Sequence, residues 1–169
     1  MLILLILLNC LYLGAAPIAS GNTSADITIA SLDDLFNGYD HWRSQHPNAV
    51  PHDKPFRLDV PFIDLYSQSG TSVYHGTDSQ KNAEFLDALP QTINSAKSSE
   101  TWPSLKEAIE MFPEFKAQEN SILTDKRYTV FAVTYPDWDR CKSQNEAVQK
   151  LRERAGKIGI RVLEVRLHT

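Results

Sequence analysis

Tyr128 to Tyr135 (YTVFAVTY) is an unbroken run of strand formers with no charged side chain. A strand with one wet face alternates apolar and polar residues. A continuous apolar run fits a strand buried on both faces, which needs helices above and below it. The residues that follow narrow the choice. Val148, Leu151, Ala155 and Ile158 recur at helical spacing within Asp139 to Lys157. Asp137 and Asp139 lie at the start of that segment, and Lys150, Arg152, Arg154 and Lys157 toward its end, the polarity that a helix dipole favours. Gly156 and Gly159 mark the exit. Ile160 to Leu167 (IRVLEVRL) then reads as a second strand, with Arg161, Glu164 and Arg166 supplying part of a polar side. Strand, long helix and strand in direct succession predict a right-handed βαβ unit.

With 169 residues, 42% hydrophobic and 22% charged, the chain has the make-up of one globular domain. A net charge of −4 argues against a nucleic-acid partner, and two cysteines exclude a disulfide scaffold. Before the βαβ unit, Ser31 is a helix N-cap for Leu32, Leu35, Phe36, Tyr39 and Trp42. His46 to Pro55 is a proline-punctuated loop. Arg57 to His75 is a hairpin: Phe62 to Tyr66 (FIDLY), the turn Ser67 to Gly70, and Thr71 to His75 as the return strand. Asp78 to Leu89 predicts a helix capped by Asp78 or Ser79 and stopped by Pro90. Asn94 to Glu100 is a loop. Ser104 to Glu107 fits a capping box opening a short helix, and Pro113 starts further helical turns toward Ile122.

Met1 to Ser20 carries no charged side chain and passes from an apolar run into small residues. That is the pattern of a cleavable export signal, with a retained anchor as its alternative. Cys10 is an incidental residue of that run, or a lipidation site in a loose lipobox. Removal of the segment leaves Cys141 as the only thiol. Asn22-Thr23-Ser24 fits a glycosylation acceptor, and His46, His52 and Asp53 read as a solvated loop more simply than as metal ligands. Glu107, Glu110, Glu114 and Glu119 read as a wet helical face.

The chemistry concentrates in Thr134 to Asn145 (TYPDWDRCKSQN), between a buried strand and the first turn of a helix. Cys141 there is either activated by the helix N-terminus, Arg140 and Lys142, or packed as a small buried hydrophobe. Tyr128 to Leu167 resembles the opening βαβ unit of thioredoxin-like proteins, whose motif is Trp-Cys-x-x-Cys-Lys. Trp138-Asp139-Arg140-Cys141-Lys142 matches it at the second cysteine and the lysine, with Trp138 in place of the first cysteine. Val60 to Tyr74 resembles the segment of the same family in which a cis-proline, here Pro61, opens a strand before a hairpin. In the family the hairpin follows the cysteine motif, whereas here it precedes it. The chain is thus a circularly permuted thioredoxin-like domain, or one of the two likenesses is accidental.

The resemblance implies an α/β fold with a central mixed sheet of about four strands, hairpin plus βαβ unit, flanked by helices. It implies domain limits of 1–20 for the signal, 21–55 for an N-terminal helix and loop, and 56–169 for the thioredoxin-like part. It further implies that Pro61 faces the turn at Trp138, Asp139 and Arg140 across a groove. Loss of the attacking cysteine removes dithiol exchange. The expected function is an exported binding or accessory module of the cell envelope, periplasmic or extracellular. Its expected partner is an unidentified protein or peptide, with no cofactor and no metal, and with membrane attachment only through the N-terminal segment. The alternative is a monothiol thiol-disulfide oxidoreductase with Cys141 as its catalytic group.

Overall fold

Residues 26–47, 59–93 and 102–168 are described by the computed structural model of the chain. The strand-forming runs become β1 (Ile27–Ser31), β2 (Phe62–Tyr66), β3 (Ser72–Gly76), β4 (Tyr128–Thr134) and β5 (Ile160–His168), in one sheet of order β1-β5-β4-β2-β3. β5 is parallel to β1 and β4, while β2 is antiparallel to β4 and β3. The sheet is mixed, as expected, but has five strands rather than four. The extra one, β1, escapes sequence reading because it runs straight into a helix with no turn residues between them.

The helices among the described residues are α1 (Leu32–Gln45), α2 (Ser79–Asp87), α3 (Leu105–Glu110), α4 (Pro113–Lys116), α5 (Glu119–Leu123) and α6 (Lys142–Arg154). Local chemistry starts three of them. Ser31 and Asp34 form a capping box on α1, Ser104 and Glu107 one on α3, and Asp78 accepts from the Lys81 N–H at the head of α2. Gly70 supplies the positive φ of the β2–β3 turn (φ 81°).

Alternate residues of the central strand β4 feed two cores. Phe131 and Val133 join Phe62, Tyr66, Leu163 and Val165 beneath α1, α3, α4 and α5. Val130 and Ala132 join Ile63, Leu65 and Val162 beneath α2 and α6. β4 is therefore covered on both faces, as its composition requires.

Of the polar residues of β5, Arg161 and Glu164 turn out to be buried, because β5 lies between β1 and β4, while Arg166 is part-exposed. Arg161 donates to Asp26 Oδ1 (2.8 Å) and to the Ser121 carbonyl. Glu164 takes bonds from the Thr134 hydroxyl and from Arg152 and Arg166. Likewise Glu107 is not part of a free helical face, since it caps α3 and bonds His46 Nε2 at 2.8 Å. The N-terminal segment, the glycosylation acceptor, His52, Asp53 and the loop expected at 94–100 lie outside the described residues. Asp26→Ala leaves Arg161 buried with Asp125 as its nearest carboxylate at 3.6 Å. It should destabilise the fold by about 3 kcal/mol, measurable by denaturant unfolding.

Candidate functional site

Antiparallel pairing of β2 with β4 puts Phe62 opposite Val133, so the start of one strand lies beside the end of the other. Pro61, which follows a cis peptide bond, and the turn after β4 thereby come to the same end of the sheet. They line one groove of about 810 Å³, with Trp138 and Arg140 on one wall, Leu32 and Phe36 of α1 on another, and Thr77 to Gln80 closing the side. Trp138 is 38% exposed and Phe36 42%, unusual for large apolar side chains. The Arg140 guanidinium lies 5.1 Å from the Trp138 ring centroid, within cation–π reach. Asp139 is not in this groove. It lines a smaller cleft of about 350 Å³ with Pro136, Lys142 and Asn145.

Behind the groove wall at Ser79, whose hydroxyl accepts from the Gln144 N–H, lies a buried amide pair. Gln144 of α6 donates through Nε2 to the carbonyls of Val133 (2.8 Å) and Phe62 (3.2 Å). Its Oε1 accepts from Asn82 Nδ2 of α2 at 2.6 Å, and Asn82 also donates to the Gly76 carbonyl and accepts from the Tyr74 hydroxyl. Both amides are fully buried and bonded.

Cys141 ends the 3₁₀ turn Asp139–Cys141 and stands at the N-cap of α6, but makes no side-chain cap hydrogen bond. Its side chain is buried. Burial pushes the thiol above its ordinary value, and the Arg140 charge and the Tyr135 backbone offset this only in part. Of the two readings of Cys141, activated thiolate or packed hydrophobe, its burial favours the packed thiol.

A second cluster was missed by the sequence reading. Asp64, fully buried on β2, bonds His75 Nδ1 of β3 at 2.7 Å. Trp102 lies over the His75 ring (centroids 3.7 Å apart), and Tyr39 and Phe62 pack around both. The Tyr66 hydroxyl and Trp102 Nε1 are buried beside the Asp64 carboxyl and both act to lower it, against the larger effect of burial. The available signal was an acidic residue inside an otherwise apolar strand, opposite a histidine in the hairpin register. Among the described residues, no three His, Cys, Asp or Glu side chains gather as a metal-ligand set.

Comparison with family models, curated proteins and solved structures gives no match for this chain.

Native Cys141 should resist alkylation at neutral pH and react only on unfolding, with Cys141→Ser costing roughly 1–3 kcal/mol. Gln144→Leu should cost roughly 1–3 kcal/mol by stripping donors from two buried carbonyls, read as a lower denaturation midpoint.

Proposed function

We propose that this chain is a thioredoxin-like domain in permuted order with a degenerate redox motif, acting as an exported binding or accessory module whose groove takes extended polypeptide. The observation that carries this reading is that Pro61 lines one groove with Trp138 and Arg140, which are distant from it in sequence. The strand directions support it too. A parallel pair joined by α6 continues through an antiparallel hairpin opened by Pro61, the relation the family resemblance calls for.

Burial of Cys141 and its raised pKa favour this reading over a monothiol oxidoreductase. A thiol out of contact with solvent has no access to a disulfide substrate. The exposed aromatic faces of Trp138 and Phe36 instead offer contact area of the kind that anchors a bound chain.

The test is selection of displayed random peptides on the full chain, followed by titration of the selected peptides. Trp138→Ala should weaken binding at least about tenfold with the fold intact, as truncation of an aromatic anchor does. Disulfide reduction in an insulin assay should stay at background. Peptides whose binding ignores Trp138, or robust insulin turnover, would overturn the reading.

A further inference from the structure

Asp64 lies in the middle of β2 with its side chain wholly removed from solvent, whereas the side chain of its partner His75 is 25% exposed. Among the described residues, β3, which carries His75, pairs only with β2 and forms an edge of the sheet. Its ladder is also irregular at Leu65/Tyr66. An edge strand opens more readily than a central one because hydrogen bonds hold it on one side alone. Over His75 lies Trp102, which also contacts Phe62 (6.4 Å) and Tyr39 of α1 (5.7 Å). The carboxylate thus sits in an aromatic cage, and the imidazole connects that cage to solvent.

We infer that Asp64 and His75 form a one-proton latch. While the pair holds one proton beyond those of a carboxylate and a neutral imidazole, β3 and Trp102 stay closed on the sheet, and loss of that proton releases them. With the proton bound, the pair is electrically neutral. Without it, one net negative charge remains among Tyr39, Phe62, Tyr66 and Trp102, where a charge is poorly solvated.

Among the described residues, the groups facing the latch offer no replacement cation. From α1 comes Tyr39, from β2 Tyr66, from β3 His75 and from the chain before α3 Trp102. Burial holds both tyrosines well above their ordinary value, so they stay uncharged. Glu107 of α3 acts on Tyr66. Burial would raise its carboxyl, but the Ser104 hydroxyl and N–H outweigh that and hold it low, so it adds negative charge. His46, the C-cap of α1, is bound to Glu107 and belongs to a separate pair.

The sign follows from burial. Desolvation raises the Asp64 carboxyl above 3.8, and the His75 bond and charge offset this only in part. Burial therefore disfavours a bare Asp64 carboxylate, and the proton that keeps the pair neutral stabilises the closed state, an effect lost as rising pH removes that proton. This inference is independent of what occupies the groove.

Hydrogen exchange of the full chain across about pH 5 to 8, corrected for the intrinsic rate, tests it. Opening of residues 72–76 relative to β4 should increase with pH, by up to about tenfold per unit while the proton is being lost. Asp64→Asn should abolish that dependence, and His46→Gln should leave it intact. Opening of 72–76 that ignores pH, or that keeps its pH dependence in Asp64→Asn, would overturn the latch. Should the variant fail to fold, carbon NMR of the wild-type Asp64 carboxyl and His75 ring decides. One shared titration above the ordinary carboxylate range supports the latch, and an Asp64 that titrates at its ordinary value independently of His75 overturns it.

Discussion

The Gln144 carboxamide ties its own helix to three other chain segments. Its N–H groups hold the carbonyls where β2 begins and β4 ends, and its oxygen holds Asn82 of α2, while its own backbone belongs to the first turns of α6. Buried amides have strict geometric demands, because a missed partner inside the protein is far more costly than one missed in water. The pair therefore fixes how the two helices on that face sit against the sheet. The position of Pro61 relative to Trp138 follows from this arrangement. The groove is a product of core hydrogen bonding more than of its own lining.

Buried charge does a different job from buried apolar surface. The two cores supply the non-directional stabilisation that any α/β domain needs. Arg161 with Asp26, Glu164 with Arg152 and Arg166, and Asp64 with His75 select among registers instead. A slip of one residue would point each of these side chains to the opposite face and leave a charge without its partner. β5 contains two such selectors because it is a central strand with parallel neighbours on both sides.

What could be read from the sequence was what depends on neighbours along the chain. Ser31, Asp78 and Ser104 cap helices because the groups they satisfy lie three residues ahead. The Ser67 to Gly70 turn and the apolar run of β4 are equally local signals. The pairing of β1 with β5 was not legible, since five residues carry no mark of a partner at the other end of the chain. Arg161 and Glu164 looked like a wet face because alternation reports side-chain direction and not what covers that side. Of the site residues, Pro61, Trp138 and Arg140 share the groove, while Asp139 turns away because it opens the tight 3₁₀ turn. Cys141 depended on one unknown, whether its side chain points outward or under the helix.

Ser31 is both the last residue of β1 and the cap of α1, so no loop separates the strand from the helix. α1 starts at the β5 side of the sheet and reaches Phe62 and Trp102 through Tyr39. It acts as a strut clamped directly to one margin of the sheet and resting on the other half. Leu32 and Phe36 ride on its first turns. Any shift of the outermost strand is thereby passed, with no loop to absorb it, to the mouth of the groove that Leu32 and Phe36 line.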